Sequence, residues 1–220
     1  MKIRAIHAVL GAAIAATPAL AEVTSETQSF DFPLSPGGTL LQFARFDDMN
    51  GTRELCKVTV SFEGVIGAHI TAENESTLPA PNFAINLTGF LTIDVGNPVI
   101  LSDFAAINQV DSQALAPTDG IIGSGPDFHD FGFVSDSIDG MDMTTDPADF
   151  AQFLGAGTVP VDIFATAGFS ASGTTDSRLV VSDLAASGRA TITYEYKIVP
   201  APASVALMGL GGLVATRRRR

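Results

Sequence analysis

The chain has 220 residues, of which 46% are hydrophobic and only 16% are charged, and its formal net charge at pH 7 is −12. Half of its twelve basic residues lie at the two termini, and residues 58–177 contain no Lys or Arg. This composition excludes a disordered chain, and it excludes nucleic acid as a partner because phosphate binding needs a basic surface. The single cysteine, Cys56, excludes an intrachain disulfide and a Cys/His zinc cluster.

The first 21 residues have the three parts of a cleavable export signal. Lys2 and Arg4 form the charged start, and an apolar, alanine-rich run follows. Ala19 and Ala21 form a small-x-small cleavage motif. We therefore expect residues 1–21 to be a signal helix that signal peptidase removes after Ala21.

Residues 22–198 are predicted to form one β-rich domain, because apolar and polar residues alternate along it. Period-two patterning with β-branched and aromatic residues is typical of half-buried strands. The clearest alternating segments are residues 58–63, 85–93 and 191–196, and the less regular ones are residues 30–32 and 159–164. Several short strands in a chain of this size favour an antiparallel β-sandwich, either Ig-like or jelly-roll-like.

The histidines and the thiol offer few catalytic arrangements. Cys56 precedes an alternating strand and is expected to be a buried core residue. His69 is predicted at an edge strand or turn, and His129 in a loop. His129-Asp130 could be part of a serine triad, but no Gly-x-Ser-x-Gly motif accompanies it. The sequence leaves open whether two carboxylates are paired for glycoside hydrolysis, because it does not give the distance between them. We expect no catalytic residues and no enzyme.

A run of aspartates without basic neighbours lies between residues 127 and 149. Its members are Asp127, Asp130, Asp136, Asp139, Asp142, Asp146 and Asp149. Oxygen-rich loops of this kind can bind Ca²⁺, and Asp136, Asp139 and Asp142 are the candidate ligands. The pattern does not fit an EF-hand loop. The alternative is a solvated acidic loop that favours solubility, with no cofactor.

One segment breaks the alternating pattern. Asp146 can cap a short helix that begins at Pro147, and Asp149 has the capping-box position. The apolar face of this helix would be Phe150, Phe153 and Leu154. We expect the helix to cover one end or side of the sandwich.

The last 22 residues have a layout of their own. Val199-Pro200-Ala201-Pro202 is followed by an apolar, glycine-containing run and then by Arg217, Arg218, Arg219 and Arg220. A helix over residues 201–216 would span about 24 Å, slightly less than a hydrocarbon core of about 30 Å. Terminal arginines can reach the headgroups and hold the end on the cytoplasmic side. We therefore expect a C-terminal membrane helix that anchors the domain in the inner membrane, transiently or permanently.

This tail resembles the PEP-CTERM sorting signal. In that system an exosortase, a membrane-embedded transpeptidase, recognises and processes the tails of exported proteins, commonly in bacteria that make exopolysaccharide and biofilm matrix. The usual motif is Pro-Glu-Pro, whereas this chain has Pro200-Ala201-Pro202. The resemblance implies processing of residues 199–220 by an exosortase-like enzyme and display at the cell surface or in the extracellular matrix.

The body of the chain resembles the choice-of-anchor E domain family. The segments that carry the resemblance are residues 27–30, 40–43, 46–47, 57–64, 153–159 and 191–196. The family brings no catalytic residues and no established ligand, so the resemblance implies a surface-displayed domain.

Three functions are compatible with these observations. The first is a non-enzymatic, exported surface or matrix protein with a structural or interaction role near exopolysaccharide. The alternative is a calcium-dependent carbohydrate-binding module or adhesin. The third is a secreted polysaccharide hydrolase.

Overall fold

The computed structural model describes residues 21–199, which form two four-stranded antiparallel sheets around one buried core. The predicted signal helix up to Leu20 and the predicted membrane helix of residues 201–216 lie outside the described residues. The strands are β1 Ala21–Pro33, β2 Gly37–Ala44, β3 Arg53–Asn74, β4 Ala80–Val95, β5 Leu101–Leu115, β6 Phe128–Thr144, β7 Thr158–Ser172 and β8 Ser177–Ile198.

The strand order is that of a jelly roll. The first sheet has the order β1-β8-β3-β6 and the second has the order β2-β7-β4-β5. The first strand thus pairs with the last, the second with the seventh, the third with the sixth and the fourth with the fifth, always antiparallel. This pairing is the double Greek key of eight-stranded jelly rolls. The prediction of an antiparallel β-sandwich is confirmed.

The predicted alternation places the apolar residues of each sheet in the core. The inward-facing residues of the three clearest segments are Val58, Val60, Phe62, Ile85, Leu87, Leu91, Ile93, Ile192, Tyr194 and Tyr196, all of them buried. Successive side chains of a strand point to opposite faces, so one parity of each segment meets the facing sheet. Full burial of a large apolar side chain stabilises the fold by about 1.5–3 kcal/mol. The apolar parity therefore sets which face of each strand packs against the other sheet.

The predicted short helix is a single turn of 3₁₀ helix, Asp149–Gln152, and not an α-helix capped by Asp146. The cap position is Ala148, and Asp146 accepts the backbone N–H of Ala148 at 2.9 Å in a turn before it. The physical reason lies just beyond the turn. There the carbonyl oxygen of Phe153 accepts the backbone N–H of Phe46 at 2.7 Å, which draws the chain out of the helical path.

Most of the acidic segment and both histidines lie in paired strands. The sequence had predicted a loop for the acidic segment and for His129, and an edge strand or turn for His69. Most of the predicted acidic loop is β6, where Val134 and Ile138 point into the core. His129 lies in the same strand. His69 lies in β3, which pairs with β8 on one side and β6 on the other, so it is not at an edge. Glycines and aspartates interrupt the alternating pattern of β6, so its own sequence does not indicate a strand. Hydrogen bonding to β3 stabilises the strand instead.

The two ends of the sandwich differ. The terminal pole contains Ala21 and Val199, the first and last described residues. The distal pole, at the opposite end of the strands, consists of the connections after β3, β5 and β7, which are residues 75–79, 116–127 and 173–176. Ala21 pairs with Lys197 of β8, so the described ends of the chain lie side by side at the terminal pole.

A buried tyrosine closes the terminal pole. The hydroxyl of Tyr194 donates a hydrogen bond to the carbonyl oxygen of Ala44 at 2.9 Å, and its ring packs 5.7 Å from Phe46 and 6.4 Å from Phe153. Burial, with a smaller contribution from the charge of Glu26, raises the pKa of Tyr194 well above its ordinary value of 10.0. The hydroxyl therefore remains a protonated donor at neutral pH.

A buried asparagine joins the three loops of the distal pole. The side-chain amide of Asn74, which has no exposed surface, donates to the carbonyl oxygens of Leu78 at 2.9 Å and Ala116 at 2.7 Å. Its carbonyl oxygen accepts the backbone N–H of Ser76 at 3.2 Å and the hydroxyl of Thr174 at 2.6 Å. All four hydrogen bonds that one amide normally makes are used to hold these loops together.

Candidate functional site

Most residues of the two predicted processing signals lie outside the described part of the chain. They are Ala19 of the cleavage motif, Pro200, Ala201 and Pro202 of the tail motif, and Arg217, Arg218, Arg219 and Arg220. Ala21 begins β1, and Val199 donates its backbone N–H to the carbonyl oxygen of Thr52 at 2.8 Å. No helix within residues 21–199 has the length and apolar character needed to cross a membrane.

The three candidate calcium ligands of β6 do not converge. Asp136 and Asp142 share the inward parity of the strand, whereas Asp139 projects from the opposite, exposed face. Asp136 and Asp142 are also six residues apart, about 20 Å along a strand. The Asp142 carboxylate accepts the backbone N–H of Ser102 at 3.0 Å. Among the described residues, no group of three or more Asp, Glu, His or Cys side chains could hold a metal ion.

The thiol and the histidines lie in separate places. Cys56 is half-buried at a β-bulge of β3, where the irregular register keeps it out of the core in which it was predicted. His69, rather than the sequence neighbour His129, approaches Asp130, with 3.3 Å between its Nε2 and the carboxylate oxygen on the exposed surface. The His129 ring packs edge-on against Phe131.

The outer face of the first sheet has an open depression of about 990 Å³ above β3, β6 and β8. On its floor, Glu63 lies directly opposite Asp139 on one side and Arg189 on the other. The Arg189 guanidinium lies 2.7 Å from the Glu63 carboxylate. Because all three side chains are exposed, water screens their charges, and this face offers little enclosure for a reacting substrate.

Three phenylalanines form a continuous exposed patch on the outer face of the second sheet. This aromatic face consists of Phe90 of β4, Phe104 of β5 and Phe164 of β7. Phe104 is 58% exposed and Phe164 is 40% exposed. The ring of Phe90 lies between them, with its centroid 5.3 Å from that of Phe104 and 6.2 Å from that of Phe164. Contiguous exposed apolar surface of this kind marks interaction sites in soluble proteins.

Hydroxyl and amide groups surround the aromatic face. The outward-facing polar residues on the same three strands include Thr88, Thr92, Asn108 and Thr166. Thr92 lies in register between Phe104 and Phe164. Flat apolar rings next to hydrogen-bonding groups suit a ligand that has both apolar faces and hydroxyl groups.

Sequence reasoning missed the aromatic face, although one signal was present. Phe90 has the same parity as Thr88 and Thr92, which makes it the apolar exception on the outward side of a predicted strand. Phe104 and Phe164 could not be joined to it from sequence, because the register of β4 with β5 and β7 is not a local property.

No protein-family model and no curated protein matches this chain. Among solved structures, it is similar to infectious bursal disease virus Gt strain with 10% identity and a TM-score of 0.23, over 83% of this chain and 41% of the viral one. The chain thus spans about two fifths of that viral chain. It is also similar to Desmodium yellow mottle tymovirus, with 10% identity and a TM-score of 0.23 over 91% and 97% of the two chains. TM-scores this low support no inference about function.

Proposed function

We propose that this protein is exported, sorted by an exosortase-like enzyme, and displayed at the cell surface or in the extracellular matrix, where it has a non-enzymatic interaction role. Exopolysaccharide is the proposed partner of its sandwich domain. The observation that carries the interaction role is the aromatic face of Phe90, Phe104 and Phe164.

The chemistry of the aromatic face supports a polysaccharide ligand. Sugar rings present C–H groups on their faces and hydroxyl groups at their edges. The ring of Phe104 offers an exposed apolar surface for the first, and the threonines around it offer hydrogen bonds for the second. The three rings themselves carry no charge, so their contact with a polymer does not depend on the sign of its charge.

The position of the chain ends supports presentation from a membrane. Ala21 and Lys197 are paired neighbours, so the leader and the tail both continue from the terminal pole. A protein held by residues 199–220 would have this pole next to the membrane. The distal pole would then face the matrix.

Loss of the aromatic face is expected to weaken polysaccharide binding. We expect the triple variant Phe90→Ser, Phe104→Ser and Phe164→Ser to bind exopolysaccharide from the producing bacterium at least about tenfold more weakly, equivalent to roughly 1.4 kcal/mol. Co-sedimentation with the purified polymer measures this change. The matched control is Phe133→Ser, because Phe133 is 61% exposed on the first sheet. Equal binding by the triple variant and the wild type would refute the proposed role of this face.

The tail motif is expected to direct processing. Intact mass spectrometry of surface and medium fractions should find a wild-type polypeptide that begins at Glu22 and ends near Pro200. We expect the double variant Pro200→Ala and Pro202→Ala to retain Arg220 and remain in the membrane fraction, because the motif for the sorting enzyme is gone.

The chain contains its own control for this experiment. Pro79-Ala80-Pro81 is the same tripeptide at the start of β4. Replacing Pro79 and Pro81 with alanine should leave processing unchanged. Unaltered processing of the tail-motif variant would contradict exosortase-like sorting.

A further inference from the structure

The loop of residues 116–127 at the distal pole brings two aspartates to one point. The Oδ2 of Asp127 accepts the backbone N–H of Asp119 at 3.0 Å, and the Oδ1 of Asp119 accepts the N–H of Ile121 at 2.7 Å. The other oxygen of each carboxylate points toward Gly125, which has a φ of +104°. A Cβ on Gly125 would overlap the Oδ2 of Asp119 and lie only 2.8 Å from the Oδ1 of Asp127.

One of these oxygens is buried without a partner. Asp127 has no exposed surface, and its Oδ1 makes no hydrogen bond. A buried carboxylate oxygen without a hydrogen bond lowers the stability of the folded protein. Buried charges in proteins are normally paired or bound to metal. The four ion pairs within residues 21–199 use Glu54, Glu63, Asp130 and Glu195, so no Lys, Arg or His compensates Asp127.

A third acidic residue holds the same loop in place. Glu73, at the end of β3, is 4% exposed and accepts the backbone N–H of Gly123 with both carboxylate oxygens, at 3.2 and 3.3 Å. This contact uses Glu73 to position the loop, and Arg178 lies opposite Glu73 in the pairing of β3 with β8. The buried carboxylate oxygen left without a partner at this pole is therefore the Oδ1 of Asp127.

We propose that Asp119 and Asp127 form a Ca²⁺ site. The Oδ1 of Asp127 is its buried ligand, and the Oδ2 of the exposed Asp119 is the ligand on the solvent side. Because no third acidic, histidine or cysteine ligand from residues 21–199 joins them, water and backbone carbonyl oxygens complete the six to eight ligands that Ca²⁺ takes. Gly125 leaves the approach open, since any side chain there would fill it. This site differs from the three aspartates of β6 and does not depend on the proposed sorting or polysaccharide role.

Calcium titration of the full chain in detergent micelles, after removal of metal with EDTA, tests the site. We expect a saturable rise in melting temperature of roughly 5–10 °C when Ca²⁺ exceeds its dissociation constant about a hundredfold. Isothermal titration with CaCl₂ should give one site per chain, and MgCl₂ should give a smaller rise. A flat response of the wild type up to about 10 mM CaCl₂, above the usual range of extracellular calcium modules, overturns the proposal.

Two variants separate metal binding from a structural role. Asp127→Asn removes the unpaired charge but can still accept the N–H of Asp119, so we expect it to lose the calcium response and to melt at or above the wild-type temperature in EDTA. Asp119→Asn changes an exposed residue and should weaken Ca²⁺ binding at least about tenfold in a folded protein. Asp139→Asn on β6 is the control and should keep the full response. A calcium response retained by both Asp127→Asn and Asp119→Asn would also overturn the proposal.

Discussion

Replacing Asn74 with leucine is expected to lower the free energy of unfolding by roughly 3 kcal/mol or more, because one buried amide makes four hydrogen bonds that leucine cannot make. The carbonyl oxygens of Leu78 and Ala116 would lose their donors, and the N–H of Ser76 would lose its acceptor. The hydroxyl of Thr174 would keep only the carbonyl oxygen of Asp176 as its acceptor. Urea denaturation followed by circular dichroism measures the change.

A second variant and a control make this result specific. Asn74→Asp keeps the shape of the side chain but removes both amide donors and adds a charge next to Glu73, so it should also be strongly destabilising. Asn108→Leu makes the same chemical change as the leucine variant on the exposed face of β5, and we expect an effect within about 0.5 kcal/mol. If the leucine variant at position 74 had the stability of this control, Asn74 would not be what holds the three loops together.

Replacing Phe153 with alanine is expected to lower the free energy of unfolding by about 3–5 kcal/mol. Phe153 has no exposed surface, and it packs against Tyr194 at the terminal pole. Its removal would leave a cavity that the neighbouring strands cannot fill, because Phe46 is fixed to it by a backbone hydrogen bond. The midpoint of urea denaturation at unchanged m-value reports this loss.

Phe104→Ala is the matched control for this prediction. It removes the same atoms from a side chain that is 58% exposed, so we expect little change in stability. Equal stability of the two variants would mean that the segment around the 3₁₀ turn does not contribute to the core. The control also shows whether Phe104 of the aromatic face can be changed without an effect on folding.

The all-β architecture was predictable because alternation is a local property. Val58, Val60 and Phe62 already have the right parity within five residues of sequence, and the structure buries all three. The same reasoning worked for Ile192 and Tyr194 in β8. Where apolar residues occupy one face of a strand, the free energy of burying that face favours the strand over a loop or turn.

The same local reasoning failed where pairing, rather than composition, stabilises a strand. The segment that became β6 contains aspartates and glycines that are typical of loops, and the partner strand β3 holds it extended. His69 was misplaced for the same reason, since its position between β6 and β8 depends on both registers. The helix capped by Asp146 failed because a contact with Phe46, far away in sequence, drew the chain out of the helical path.

Local sequence patterns are enough to predict the composition of the core, the parity of its clearest strands and the candidate signals at its two ends. They do not contain the strand order, the grouping of Phe90 with Phe104 and Phe164, or the meeting of Asp119 with Asp127. Each of these depends on which residues hydrogen bond across a sheet or a folded loop. Such pairings join residues as distant as Ala21 and Lys197, and no periodicity within a strand can specify them.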